Sequence, residues 1–399
     1  MKQIYPQSIT GKGEVGGGSV LDHSFGRSDP FTLGVEEEYM LLDGETFDLV
    51  QHIDTVLKAI SGHELEARIN AELMQSVLEI ATPVCRTAGD VQRELLKLRA
   101  YVTGVGREQG LRVGSAGTHP FSLFERQRIT ARDRYRNLVD QLQYVARREL
   151  IFGMHVHVAV DDPEKAIQVV NGLLPQLGPL LALSASSPFW RGEPTGLSSS
   201  RQMVFAAFPR SGPPPRFRDY ADYAEVVGQL ERTGCIADYT HIWWDIRLHP
   251  RLGTIEIRIC DAVTRVEDAT ALAAYCQALV KMLAEQHERG EQIPSFHRIL
   301  TTENKWLAAR YGLEAPVMDL ATGRRNRIPV AQLVRRTLRE IEPHARELGS
   351  ERELEGIGEI LARGNGSDRQ LRVFNANRDI VEVVQEIAAA TEAVPAAAA

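Results

Sequence analysis

The sequence is poor in cysteine, in charge imbalance and in long apolar runs, and each shortage narrows what the chain can be. Its 399 residues include four cysteines, Cys85, Cys235, Cys260 and Cys276, widely spaced and without a CxxC pair. That spacing excludes a zinc knuckle and fits reduced thiols better than a disulfide framework, so all four are read as buried and free. The net charge of −7 is modest and the basic residues are scattered, which argues against a nucleic-acid or anionic-membrane partner. The N-terminal stretch has no apolar signal-like core, and no segment approaches the roughly 20 apolar residues that cross a bilayer, so a cytoplasmic protein is expected. No internal repeat is present.

What is there is a globular composition, 43% hydrophobic and 25% charged, long enough for a deep core. Residues 1–30 are rich in Gly and Ser and lack periodicity, so they read as a flexible leader or a loosely docked arm. "FTLGVEEEYMLLD" reads as a strand closed at Asp43 and Gly44, and "ELEARINAELMQSVLEIATPV" as a second strand-like region. Residues 88–110 repeat apolar positions at helical spacing, and "LRVGSAGTHPF" reads as a strand ending at Pro120. "FGMHVHVAV" alternates, then comes a helix broken by Pro and Gly, then a polar passage from Pro188 to Phe217 that reads as long loops forming a lid or substrate wall. "THIWWDIRLHP" and "GTIEIRICDA" read as two alternating strands joined at Pro250 to Gly253, and the remainder is mostly helical. The fold class predicted is α+β, with a mainly antiparallel sheet whose one face is polar and whose other face carries helices.

Three strands present ionisable residues at alternate positions. In "GVEEEYML", Glu36 and Glu38 share a face while Glu37 points the other way with Val35 and Tyr39. Two neighbouring buried carboxylates repel unless a cation joins them, and a divalent metal is the simplest such cation. The alternative is an edge strand with three solvated glutamates. In "GMHVHV", His155 and His157 share a face suited to a metal or a phosphate, or else are hydrogen-bonded core histidines. In "TIEIRIC", Glu256 and Arg258 lie opposite Ile255, Ile257 and Ile259; a carboxylate beside a guanidinium suits phosphate chemistry, or forms a cross-strand salt bridge. Asp245 and Arg247 continue the alternation on the neighbouring strand. Oxygen-rich ligation with an imidazole suits Mg²⁺ or Mn²⁺ rather than structural zinc.

Taken together, "GVEEEYMLLD", "GMHVHV", "SPFWRGEPTGLSSSRQMVF", "WWDIRLHP", "TIEIRICDA" and "ENKWLAARYG" resemble the carboxylate–amine ligases of the bacterial type-2 glutamate–cysteine ligase group. The resemblance spans residues 31–375 and implies a single catalytic domain there, with 376–399 left as a C-terminal helix and an Ala-rich tail. That group is similar in turn to glutamine synthetases, which implies a curved glutamine-synthetase-like catalytic sheet binding ATP and two or more Mg²⁺ or Mn²⁺ ions.

The resemblance further implies that Glu36 and Glu38 ligate different ions. His155 would join Glu36 and Glu256 at one, with His157 near the ATP phosphates and Arg258 stabilising the transferred phosphoryl group. Glu256 and Arg258 are then the catalytic pair. Glu38, Glu72 and Glu79 would hold the other ion, which requires a turn or bulge near Gln75 because seven residues of unbroken strand separate faces. Arg201 and Arg247 are candidates for holding substrate carboxylates, or are structural salt-bridge arginines. His119 lines the nucleotide or acceptor pocket, or caps a turn.

The reaction implied joins the γ-carboxylate of L-glutamate to the amine of L-cysteine through an acyl phosphate, releasing ADP and phosphate. Alternatives are another amino-acid or amine acceptor, a guanidino-kinase-like phosphotransferase, or a nucleotide- or metal-sensing protein. A homo-oligomer, with a dimer as the simplest form, is expected. The face assignment predicts that Glu36→Ala and Glu256→Ala abolish activity while Glu37→Ala stays folded.

Overall fold

Strand alternation builds the sheet on which the site is placed. The computed structural model describes residues 21–393 apart from 295, 321 and 323–325. Strands β1 (Leu33–Asp43), β2 (Ile69–Ala71), β3 (Val77–Ala81), β4 (Leu111–Gly114), β5 (Met154–Ala159), β6 (Ile246–His249) and β7 (Thr254–Ile257) make one seven-stranded sheet. The order is β6-β7-β5-β1-β3-β2, with β4 on the far half of β1, and every pairing is antiparallel. The α+β class with an antiparallel sheet is therefore the observed one.

The rear face carries the main core. Leu33, Val35, Tyr39 and Leu41 of β1 join Met154, Val156 and Val158 of β5 and Ile255 and Ile257 of β7 in one apolar cluster. The helix Val266–Glu288 packs behind them and is buried on nearly all sides, as its Ala-rich run allows. The helix Ala88–Glu108 lies beside it, opened by a capping box in which Thr87 and Asp90 satisfy each other's backbone N–H groups.

The front face is polar only in part. Met40 and Leu42, on the same side as Glu36 and Glu38, enter a second apolar cluster with Met74, Val77, Phe152 and Ile387. The helix Ile380–Glu392 covers that cluster, and Glu392 fixes its end by pairing with Arg107 and Arg112. The expected boundary at 375/376 falls inside the helix Gly366–Asn377, and the helix after it is built into the sheet's own core.

Several expectations are narrowed or corrected. Residues 1–20 of the expected leader lie outside the described residues, and 21–30 take the docked alternative: Ser24 N–H donates to Pro250 O at 2.8 Å and Phe25 is buried. Gly253 in the β6–β7 turn has φ +68°, and a Cβ there would stand 2.5 Å from Ser24 O, so the turn and this arm fit only with glycine. The stretch Pro163–Ser184 is 22 residues long and holds a window of mean hydropathy 1.4, so among the described residues one segment is long and apolar enough to cross a membrane. It is apolar because 78% of its window is buried, between the Val266–Glu288 and Arg298–Tyr311 helices. The strand after residue 110 ends at Gly114 rather than Pro120. Cys85, Cys260 and Cys276 are buried and unpaired, but Cys235 is exposed. Within Pro188–Phe217 lies a helix, Ser200–Phe205, started by Ser199 accepting from Gln202 N–H.

Candidate active site

A cavity of about 320 Å³ opens on the front of the sheet where β1, β5 and β7 run side by side. Register decides which side chains meet there. Glu36 pairs with His155 across β1 and β5, and Glu256 pairs with His157 across β7 and β5. His155 Nδ1 lies 3.1 Å from Glu36 Oε2 and 3.9 Å from Glu256 Oε1. His157 Nε2 lies 3.6 Å from Glu36 Oε1 and 4.0 Å from Glu256 Oε1.

The expectation put His155 with the two carboxylates and His157 at the phosphates. Both imidazoles reach the two carboxylates, and one ligand atom each from Glu36, His157 and Glu256 lies within 4.8 Å of the others, so His157 joins this group beside His155. The cause is second-layer hydrogen bonding: Thr254 Oγ1 takes His157 Nδ1 at 3.0 Å, which turns Nε2 toward the two carboxylates, buried and without a partner. Burial lowers the pKa of His157, but Glu36 and Glu256 outweigh it and the value rises. His155 is pushed down to about 4 by burial and by the charge of Arg258, so it is neutral at pH 7. Burial opposes ionisation of Glu36, yet the two imidazoles beside it, His155 through its hydrogen bond and His157 by proximity, hold its pKa well below the usual range.

Glu256 faces two guanidiniums. Arg247 reaches it through Nε at 2.8 Å and Nη2 at 2.7 Å, and Arg258 through Nη1. Burial raises the pKa of Glu256 and the two arginines overcome that, leaving it ionised. Arg247 Nη1 also donates to the Thr240 and Ile242 carbonyls, so this residue holds Glu256 in place and has little left for a substrate. Arg258 is different: its Nε is buried and unpartnered.

A second carboxylate group shares the cavity. Glu38 pairs with Glu79 across β1 and β3, and Glu72 joins them because the chain turns between β2 and β3, with Val77 N–H donating to Met74 O at 3.0 Å. The turn required near Gln75 is present. Burial, with Glu72's charge next, raises Glu38 to about 7 and lifts Glu79 well above the usual carboxylate range. Glu72 is raised chiefly by burial. Carboxylates kept together at this cost fit a divalent cation, as does the unpartnered imidazole nitrogen of His157.

Arg201 lines the cavity from the helix Ser200–Phe205. It donates to Ile259 O at 3.3 Å and Arg258 O at 3.4 Å, while its Nε is buried and unpartnered. A Cβ on Gly153 would stand 2.5 Å from Arg201 Nη2, so glycine there admits the guanidinium. Asp261 anchors this segment, accepting from Ser186 N–H and from the Ser187 and Ser199 hydroxyls at 2.9, 2.7 and 2.8 Å. Asp245 lies elsewhere, paired with Lys305.

Of the two readings of His119, the turn cap is the observed one. His119 does not line the cavity; its Nδ1 accepts from Phe121 and Ser122 N–H groups and its Nε2 lies 2.9 Å from Phe47 O. It caps a turn. Glu149 is the residue that sequence reasoning missed: it lines the cavity, and burial, with Glu38's charge adding and Arg201's opposing, raises its pKa to about 8. It precedes β5 on a turn, where strand parity gives no signal.

A model of the family described as glutamate-cysteine ligase family 2 matches residues 32–388. The chain is 44% identical over 354 residues to "Putative glutamate--cysteine ligase 2-1" of Rubrobacter xylanophilus, covering 89% of this chain and 93% of that protein. It is 42% identical over 358 residues to "Putative glutamate--cysteine ligase 2" of Sorangium cellulosum, covering 90% and 95%. Among solved structures, a glutamate–cysteine ligase from Francisella tularensis in complex with AMP superposes with a TM-score of 0.65 at 13% identity, covering 93% of this chain and 91% of that one. A bifunctional glutathione synthetase from Pasteurella multocida gives 0.66 at 16% identity, covering 90% of this chain and 52% of that one. At such identities the structural likeness establishes a shared fold.

Proposed function

The chain belongs to glutamate–cysteine ligase family 2, and on that premise we propose that it is an ATP-dependent ligase joining the γ-carboxylate of L-glutamate to an amine, with L-cysteine as the nominal acceptor. The products are the γ-glutamyl amide (γ-glutamylcysteine from cysteine), ADP and phosphate. The observation that carries this reading is one cavity holding the Glu36, His157 and Glu256 convergence, a second carboxylate group, and an arginine with a free donor. The acceptor is the less constrained half of the reaction, and another amino acid or amine is compatible with the same floor.

A substrate carboxylate oxygen attacks the γ-phosphorus of ATP, ADP leaves, and the acyl phosphate is attacked by the acceptor amine as phosphate departs. Arg258, with Nε uncommitted, faces the transferred group and stabilises its negative charge. Arg247 keeps Glu256 ionised and oriented. Arg201 holds a substrate carboxylate through its uncommitted Nε, in a position set by the Asp261 knot. Glu36, Glu256 and the histidines would hold one divalent metal ion, Mg²⁺ or Mn²⁺, and Glu38, Glu72 and Glu79 a further one, and such ions would supply charge neutralisation of the triphosphate. The four unpaired thiols support a cytoplasmic setting, and assembly as a homodimer belongs to the same proposal.

ADP release by the purified protein with Mg²⁺-ATP, screened across amino-acid pairs, tests the reading. Turnover with glutamate plus cysteine supports it, and turnover with only another pair keeps the reaction class while changing the acceptor. ATP binding too weak to detect contradicts both.

A further inference from the structure

The cavity has an apolar wall that the chemistry above does not use. Ile151, Phe205, Phe208 and Trp243 all line it. The Phe205 and Phe208 rings stack with centroids 5.6 Å apart, and Phe208 meets Trp243 edge-on at 5.3 Å. This surface begins close to the carboxylates. The Arg201 guanidinium lies 5.8 Å from the Phe205 ring, Arg201 crowds Gly153, and Gly153 N–H donates to Glu38 at 2.5 Å. Glu149 lines the same cavity, with Oε2 buried and unpartnered.

Resting on the ligase reading, we propose that this end of the cavity is the acceptor site. It takes a primary amine carrying an apolar or aromatic body, with Glu149 holding the nitrogen and the four apolar side chains enclosing the rest. The acceptor nitrogen must reach the acyl carbon, which is joined through one oxygen to the transferred phosphorus, so its site adjoins the carboxylates. A nucleotide base is separated from that phosphorus by a ribose and two further phosphates, and does not fit a wall one side chain from Glu38. An amine N–H entering beside this unpartnered carboxyl oxygen gives it the hydrogen bond that the protein does not supply. A wall of two phenylalanines, a tryptophan and an isoleucine stabilises an apolar body far more than the small polar side chain of cysteine.

The test uses the full-length protein with Mg²⁺-ATP and L-glutamate. Hydroxylamine first traps the acyl phosphate as a hydroxamate, which reads the ligase chemistry without any natural acceptor. Acceptors are then compared by kcat/KM: 2-phenylethylamine, methylamine and L-cysteine. The expected result is a preference for 2-phenylethylamine over both others of about tenfold or more, in line with the discrimination that a few buried methylenes give. Phe208→Ala should collapse that preference while hydroxamate formation persists. Hydroxamate with cysteine or methylamine favoured overturns the acceptor assignment alone. So does Phe208→Ala raising KM for ATP with the acceptor ratio unchanged. Absence of hydroxamate overturns the ligase reading and the acceptor assignment with it.

Discussion

Arg99 of the Ala88–Glu108 helix grips Glu37 at two points behind the sheet, Nε to Oε2 at 3.0 Å and Nη2 to Oε1 at 2.5 Å. The pair is fully enclosed, with Tyr39 donating to the same carboxylate and the remaining Arg99 donors on the Val263 and Thr264 carbonyls. The three glutamates of "EEE" thus divide by strand parity: two face the cavity and one is a structural ion pair. The partner of Glu37 behind the sheet is Arg99. The expectation that Glu37→Ala stays folded does not survive this geometry, because removing one partner strands a buried guanidinium.

Glu37→Ala should therefore lower stability by about 3–5 kcal/mol. Urea denaturation measures this, and whatever folded protein remains should turn over at close to the normal rate per molecule. A small change in midpoint together with lost activity would place Glu37 in the site instead.

Glu38 gives a pH dependence with a defined sign. Its folded value, raised from 4.5 to about 7, means the folded state holds a proton that the unfolded state has released across that interval. Its contribution to stability is complete below 4.5 and is lost as pH rises through 7. In EDTA, Glu38→Gln should melt above the parent protein at pH 8, with the gap closing toward pH 5. Added Mg²⁺ should stabilise the parent more than the variant at pH 8. A gap independent of pH would count against the buried-carboxylate reading.

Arg258→Met should reduce kcat by about 10²–10³-fold, the usual loss for one donor aimed at developing charge. The fold should survive, because Arg247 still neutralises Glu256. Steady-state kinetics with circular dichroism as control checks both halves. An unchanged kcat would remove Arg258 from the chemistry.

His119→Ala should cost about 1–3 kcal/mol, since the Phe121 and Ser122 N–H groups lose their acceptor in a buried turn. KM for ATP and for glutamate should stay within a factor of about two when the folded fraction is corrected for. A selective rise in either KM would return His119 to the substrate pocket.

The sheet face was legible because a strand converts odd and even numbering into two sides. That is why Glu36, Glu38, His155, His157, Glu256 and Arg258 meet as expected. What strand parity cannot resolve is distance. His157 joins His155 beside the carboxylates because Thr254, on another strand, sets its ring. Nor does parity reach residues on turns, so Glu149 left no trace, and Glu72 was readable only through the turn its role demanded. The difference between Arg247 and Arg201 lies in carbonyls brought from Thr240, Ile242 and Ile259 by tertiary folding. The apolar run Pro163–Ser184 and the exposed Cys235 were misread because local composition does not tell which helix faces meet.

The most direct measurement follows the oxygen atoms. Glutamate labelled with ¹⁸O in its γ-carboxylate is turned over with Mg²⁺-ATP and an accepted amine, and the released phosphate is analysed by mass. Attack of the carboxylate on the γ-phosphorus places one labelled oxygen in each phosphate, which is the predicted result. Amide formed with unlabelled phosphate would contradict the acyl-phosphate route, as would a phosphorylated product without amide.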